Sequence, residues 1–430
     1  MTDLNTKSLS CWLDYIARTH PQDIDMGLDR VRRVFDAMQL ETKARQVVVV
    51  AGTNGKGSTI AMLEAGLSCS GLTVGSYTSP HIQTYNERVK VNRCPVSDQR
   101  LVEAFANVDQ ARKTAHENAN EAIPLTYFEF GTLAAFDILF RQDLDVLLLE
   151  IGLGGRLDAV NIVDADLSII TSIALDHTDW LGESLDEIGR EKAGILRPGV
   201  LALLGEHLPG SVYQRAHSIG APVISVHQHF DRTSSGMFLF EEEKAVPYSY
   251  FPEMRLPENN ILLALQALSV LGKRLGVPIF NNEAINECFE ALNLSGRLEK
   301  LSGQDIYLDV GHNPHAAGYL HGFLCTQKQQ GKTIHAVFSA LADKDVSALV
   351  AILSPVVDCW FIAPMSEPRA LDQKSLESAV GPQVKNMLSF DSIPEALHES
   401  LVISSKQSAL TLVFGSFYVV EAAKNYFENL

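Results

Sequence analysis

Gln46-Val47-Val48-Val49-Val50-Ala51-Gly52-Thr53-Asn54-Gly55-Lys56-Gly57-Ser58-Thr59 is the stretch that decides the fold. Four consecutive valines ending in glycine are the continuous β-branched run of a parallel strand buried on both faces. A glycine-rich turn then hands over to a helix, the context that makes such a sequence a phosphate loop. In the first turn of a helix the N–H groups have no intrahelical partner, so they point at an anion, and glycines let the loop approach without a Cβ clash. Lys56 would bridge the outer phosphates as a point charge, and Ser58 or Thr59 would reach a Mg²⁺ or a phosphate oxygen. The spacing is shorter than G-x-x-x-x-G-K-[ST], and Gly57 separates the lysine from the hydroxyl. The structural alternative is a tight strand-to-helix turn with an incidental lysine; the strand-loop-helix context argues for a nucleoside triphosphate site.

Outward from this unit, short apolar runs that end in polar or glycine-rich loops recur: TVGSYTSP (73–80), LDVLLLEIGLGG (144–155), LSIITSIALDH (167–177) and VLALLGEH (200–207). Helical stretches such as FEFGTLAAFDILFR (128–141) and SLDEIGREKAGIL (184–196) lie between them, the alternation of an α/β fold. Upstream, Leu13, Ile16 and Ala17, then Leu28, Val31, Val34, Phe35 and Met38, have the spacing of amphipathic helices. Residues 227–252 are aromatic and alternating, which suits an antiparallel hairpin patch decorating the main sheet. Helix patterns follow in NNILLALQALSVLGKRLG (259–276) and NEAINECFEALN (282–293). LSGRLEKLSGQD (294–305), with two Ser-Gly pairs, reads as an interdomain linker. After it the alternation restarts in DIYLDVG, IHAVFSA, VDCWFIAP and ALTLVFGSF. The expectation is therefore an α/β chain of two domains: 1–295, holding the phosphate loop and a mostly parallel sheet, and a smaller α/β domain, 296–430.

Composition narrows the function. The chain has 430 residues, 46% of them apolar, and carries 52 acidic against 35 basic residues, a formal charge of −17. That balance excludes a general polyanion-binding role such as nucleic acid or anionic membrane. Six cysteines without a C-x-x-C pair remove a zinc ribbon and a disulfide scaffold and read as ordinary buried thiols. The first residues lack an apolar signal core, and no run approaches the roughly 18 apolar residues of a membrane span, so a cytoplasmic protein is expected.

Further residues carry chemistry. Glu150 ends an apolar strand, and a carboxylate at a parallel strand's carboxyl end lies at the mouth of the sheet, where Mg²⁺ would find an oxygen donor. The following Gly152-Leu153-Gly154-Gly155 lacks the third glycine of a dinucleotide fingerprint in its place. His177 also follows a strand end; it is either a loop histidine satisfied locally or a ligand near that mouth. Lys192, on sequence physics alone, is a helix lysine. Asp309 ends a strand before His312-Asn313-Pro314, which reads both as a ribose or adenine contact and as a helix cap with proline at its first position. No G-x-S-x-G elbow occurs, against a serine hydrolase.

Taken together, AGTNGKGS, YTSPH, TYFEFG, EIGLGGRLDAVN, SIALDHTDWLG, REKAGI, GRLE, DVGHNPHAA and FSALADKD resemble the bacterial bifunctional dihydrofolate synthases/folylpolyglutamate synthases. These are a branch of the Mur ligase superfamily of ATP-dependent amide-bond-forming enzymes. The motifs recur in the family's order from about residue 23 to 418. The resemblance implies an N-terminal ATPase domain and a Rossmann-like C-terminal domain that close on one another. It implies that Gly52, Thr53, Asn54, Gly55, Lys56, Gly57 and Ser58 hold ATP, and that Asn260 (or the adjacent Asn259), Arg297 and Asp309, with His312 nearby, complete the nucleotide contacts. Ser79, Glu150 and His177 would hold Mg²⁺, with two metal sites in all. Lys192 matches the lysine that the family carbamylates, and Lys56, Lys192 and His177 form the catalytic set. Pterin contacts are implied for Ile24, Asp25 and Met26, for Thr126, Tyr127, Phe128 and Glu129, and for Leu157, Asp158 and Ala159.

The implied substrates are 7,8-dihydropteroate, tetrahydrofolate and L-glutamate, handled by a monomer without nucleic acid or membrane. A folylpolyglutamate synthase lacking the dihydrofolate step and a non-enzymatic phosphate-loop module are the alternatives. A cell-wall Mur ligase would need a UDP-sugar domain, for which about 45 residues before the phosphate loop are too few.

Overall fold

The computed structural model describes residues 8–429 except 23, 120, 235, 242, 249–254, 279–286, 302, 304 and 406–408. It divides into two compact units, Met1–Met254 with Glu258–Leu292, and Arg255–Pro257 with Asn293–Leu430.

The first unit is built on an eight-stranded sheet. Its strands are β1 (Gln46–Ala51), β2 (Val74–Tyr77), β3 (Val89–Val91), β4 (Cys94–Pro95), β5 (Val146–Glu150), β6 (Leu167–Ile170), β7 (Leu201–Leu204) and β8 (Val223–Ser225). The spatial order is β4-β3-β2-β5-β1-β6-β7-β8. Six strands run parallel, and β3 and β4 form an antiparallel edge. The valine run is the central strand and is buried on both faces, as its composition requires.

Helices α1 (Leu9–Ile16), α2 (Asp29–Met38), α3 (Lys56–Cys69), α4 (Asp98–Ala119), α5 (Tyr127–Phe140), α6 (Thr178–Leu181), α7 (Leu185–Lys192), α8 (Gly210–Ile219) and α9 (Glu258–Leu275) belong to this unit. Helix α4 went unread in the sequence. The order places the carboxyl ends of β2, β5, β1 and β6 side by side, and ligands of open α/β sheets bind outside such ends.

The second unit is a six-stranded sheet of mostly parallel strands ordered β12-β13-β17-β14-β15-β16. These are Glu299–Lys300, Ile306–Asp309, Ala409–Phe414, Thr333–Phe338, Cys359–Ile362 and Met387–Ser389 in that order.

Three expectations are corrected. The hairpin patch does not extend the main sheet: β9 (Asp231–Thr233), β10 (Gly236–Glu241) and β11 (Lys244–Tyr248) make a separate antiparallel sheet. It is tied to α9 by Gln266, whose amide pairs with both backbone groups of Phe240. Residues 249–252 of that patch lie outside the described residues, as do 282–286 of the last helix pattern. The supposed linker is not without regular structure: Glu299 and Lys300 within it form an edge strand, pairing antiparallel with Leu308 and Tyr307, and Leu298 and Glu299 are buried. The cysteines are not uniformly buried thiols: Cys69, at the end of α3, is disulfide-bonded to Cys288, and Cys11 and Cys94 are exposed. A sequence separation of 219 left no spacing motif to reveal that pair.

Candidate active site

The loop after β1 is braced by the loop after its neighbour β6. Thr53 N–H donates to Ser172 O (2.7 Å), Asn54 N–H to Ser172 Oγ (3.1 Å), and the Thr171 and Ser172 hydroxyls donate to Asn54 O (2.6 and 3.0 Å). Thr171 and Ser172 were not singled out in the sequence; their only signal is their place at the end of the strand beside β1.

Gly55 caps α3 in the left-handed region at φ 90°, without a side-chain cap bond. A Cβ there would collide with the Asn260 side-chain amide, so only glycine lets the loop pass. This separates the two asparagines of α9. Asn260 stands against the phosphate loop, whereas Asn259 is a clamp, donating to Thr171 O (2.8 Å) and accepting from Glu206 N–H (2.9 Å). Thr59 turns its hydroxyl back on Gly55 O (2.9 Å).

Two lysines meet at one carbonyl. Lys56 Nζ donates to Gly52 O (3.0 Å) and to Thr53 O (3.3 Å), and Lys192 Nζ, from the end of α7, donates to the same Gly52 O (3.0 Å). Burial, with the Lys56 charge added, pushes the Lys192 ammonium down to about 7.

At the sheet mouth Glu150, 5% exposed, accepts from Ser79 N–H at 3.0 Å. The structure thus brings Ser79 and Glu150 together. His177 stands on the loop after β6 at φ 51° and caps α6, its own N–H bonded to Asp176 Oδ1 (2.9 Å). No group of three or more His, Cys, Asp or Glu among the described residues is arranged as a metal cage. A buried carboxylate held by the backbone of a serine nevertheless offers oxygen donors, and it suits Mg²⁺ completed by phosphate oxygens and water. The uncapped N-terminus of α3 likewise suits a phosphate.

The elements assigned to pterin are joined by Arg30, which the sequence reading missed. Its guanidinium bonds Asp25 Oδ2 (2.8 Å), the Asp25 carbonyl, and Glu129 (3.0 and 2.8 Å to the two carboxylate oxygens). Thr126 and Glu129 form the capping box of α5, fixing Tyr127 and Phe128 at its first turn. The Phe128 ring lies where a Cβ on Gly152 would be, so the EIGLGG loop passes directly beneath it. Asp158 holds that loop: it accepts from Leu153 N–H (2.8 Å) and Val160 N–H (2.9 Å), and burial raises its carboxyl to about 7. A cavity of about 480 Å³ opens beside Asp25, Met26 and Arg30. His81, of the TSPH stretch, accepts from Arg88 Nε (2.8 Å), and burial lowers it to about 4, so it is a neutral acceptor.

In the second unit Asp309 accepts from Leu298 N–H (2.9 Å) and Gly311 N–H (2.7 Å), and burial raises its carboxyl. Arg297 lies 5.4 Å over the Phe417 ring and donates to Gly296 O (3.1 Å). The His312 ring bonds Val310 O (2.9 Å), and Asn313 caps the helix Pro314–Gln329.

Comparison with known proteins follows the same lines. Residues 296–417 match the Mur ligase, glutamate ligase domain family. The Escherichia coli dihydrofolate synthase/folylpolyglutamate synthase is 38% identical over 96% of this chain and 94% of its own length. This chain belongs to the dihydrofolate synthase/folylpolyglutamate synthase family. Among solved structures, E. coli FolC in complex with DHPP and ADP superposes with a TM-score of 0.89 at 36% identity, covering 100% of this chain and 99% of that one. The bifunctional Yersinia pestis enzyme complexed with AMPPNP and Mn gives 0.87 at 35% identity, covering all of both chains. Membership of the family accounts for the two-unit α/β architecture and for the phosphate loop at its first strand.

Proposed function

We infer that the chain is an ATP-dependent ligase that adds L-glutamate to 7,8-dihydropteroate, forming dihydrofolate, and to tetrahydrofolate, forming folylpolyglutamate. The observation that carries this reading is the convergence of Lys56 and Lys192 on Gly52 O beside the Ser79 and Glu150 pair, inside a chain of this family.

A carboxylate is a poor electrophile, so it must first be activated. The acceptor's carboxylate oxygen takes the γ-phosphoryl group, ADP leaves, and the amine of glutamate attacks the resulting acyl phosphate and expels phosphate. Positioning and charge neutralisation dominate such transfers. Lys56 leaves the loop carbonyls to neutralise the phosphoryl oxygens, the α3 N-terminus receives the phosphate chain, and Ser58 supplies the hydroxyl that Thr59 has committed to its own helix. Ser79, Glu150 and His177 would hold Mg²⁺, which when bound would supply Lewis-acid charge stabilisation. Lys192, with its amine partly neutral near pH 7, is chemically suited to carbamylation, which turns a cation into an anion.

Asp25, Met26, Phe128 and the loop held by Asp158 form the pterin site. Arg297, Asp309 and His312 are the nucleotide-contact residues proposed for the second unit. No helix among the described residues is long and apolar enough to cross a membrane, and the cytoplasm is the proposed compartment.

The test is phosphate release from ATP with glutamate and either dihydropteroate or tetrahydrofolate. Release with both supports the bifunctional reading. Release with tetrahydrofolate alone reduces it to the polyglutamate step, and silence with both overturns it.

A further inference from the structure

A second cleft of about 560 Å³ lies between α6, α7 and the Arg156 loop. In a chain of charge −17 it gathers three arginines, Arg156, Arg190 and Arg215, and no ion pair engages Arg190 or Arg215 among the described residues. Two carboxylates line it as well. Glu187 is committed to the N–H groups of Glu183 and Ser184 at the start of α7. Glu191 Oε1 binds Arg156 (2.8 Å), but Glu191 Oε2 is buried without any hydrogen-bond partner. That oxygen lies out of reach of a ligand, and Glu191 meets the cleft only as the partner of Arg156. Trp180, 47% exposed, and Leu181 supply an apolar wall.

The cleft abuts the folate site. Leu181 packs over Gly154 beside Met26, Arg156 N–H bonds Glu191 O (2.8 Å), and Lys192 is the next residue in the chain.

We propose that this cleft receives the γ-glutamyl tail of the folate substrate, its α-carboxylates on Arg190 and Arg215 and its methylenes against Trp180. The inference rests on the function proposed above and names the part of the substrate that the pterin site leaves unassigned. Each tail unit offers one carboxylate and two methylenes, which match the arginines and the Trp180 face respectively. A bare anion such as inorganic phosphate would satisfy the arginines but would leave the exposed Trp180 face uncovered.

The experiment compares wild type with the Arg190→Gln/Arg215→Gln double variant, using dihydropteroate and tetrahydropteroyl mono- and triglutamate as acceptors. Both side chains are exposed, so the fold is expected to stand, and thermal melting checks it. Loss of two charge-assisted contacts should lower kcat/KM for the triglutamate about tenfold or more, with dihydropteroate and the monoglutamate within about twofold. A tri-γ-glutamate peptide should compete with the triglutamate folate in wild type, and inorganic phosphate at equal concentration should not. Equal losses for all acceptors, no loss for the triglutamate, or equal competition by phosphate would overturn the assignment. Wild type that releases phosphate with none of the acceptors would instead overturn the function on which it rests.

Discussion

Lys56 and Lys192 donate to the same carbonyl oxygen, that of Gly52, each at 3.0 Å. Two ammonium groups sharing one acceptor in a buried site repel each other, and the pair is relieved when each gains an anion. The nucleotide phosphates serve Lys56, and a carbamate would remove the charge of Lys192 itself. Substituting Lys192→Met should therefore abolish ligase turnover, by about 100-fold or more, while leaving nucleotide affinity within a few-fold. The pH sense is fixed by the depressed amine. Above about 7 the neutral, nucleophilic form predominates, so enzyme stripped of carbon dioxide should regain activity on adding bicarbonate faster at pH 8 than at pH 6. Equal recovery at both would contradict this role.

Asn259 and Asn260 are adjacent but have separate work. Asn259→Ala removes two buried bonds, to Thr171 and Glu206, and should cost roughly 1 to 3 kcal/mol of stability. Asn260→Ala should leave thermal stability nearly unchanged and weaken ADP binding. Calorimetric titration and melting on both variants separate the two, and a reversed pattern would exchange the roles.

Arg30 joins Asp25 to the buried Glu129, so Arg30→Met leaves a carboxylate buried without its cation. A loss of about 3 kcal/mol in stability is expected, with a raised KM for dihydropteroate. An unchanged KM in protein that still folds would remove this triad from the folate site.

Outside the active site, His227 bonds Asp231 (3.0 Å) and Glu206 (3.1 Å), and those two carboxylates raise its pKa above the ordinary 6.5. A raised folded-state pKa contributes stability that is whole below the unfolded value and is lost as pH rises through the folded one. The difference in melting temperature between wild type and His227→Gln should accordingly shrink from about pH 6 towards pH 9. A difference that grows with pH would contradict the protonated clamp.

The phosphate loop, the parallel strands and the folate motifs were legible because each depends on contiguous residues: a β-branched run, a glycine turn, a capped helix. Helix α4 was equally legible and was passed over, since Leu101, Phe105, Val108, Ala111 and Ala115 repeat along one buried face. What contiguity cannot carry is pairing at a distance. The Cys69 to Cys288 bond, the Thr171 and Ser172 brace under the phosphate loop, and the Arg30 bridge between α2 and α5 join residues far apart in sequence. The depressed Lys192 amine and the raised Asp158 carboxyl belong to the same class, because burial is a property of the folded chain and not of REKAGI or RLDAV. Glu299 misled for a related reason: a Ser-Gly pair marks a turn, and here the Ser295-Gly296 turn leads into a two-residue edge strand.

In the proposed reaction an acyl phosphate forms at the carboxylate of the folate precursor. Dihydropteroate carrying ¹⁸O in its carboxylate, turned over with ATP and L-glutamate, tests it by mass analysis of the phosphate released. One ¹⁸O should be transferred per phosphate. Unlabelled phosphate accompanying stoichiometric ADP would mean that water or another group attacks the γ-phosphoryl, and would contradict it.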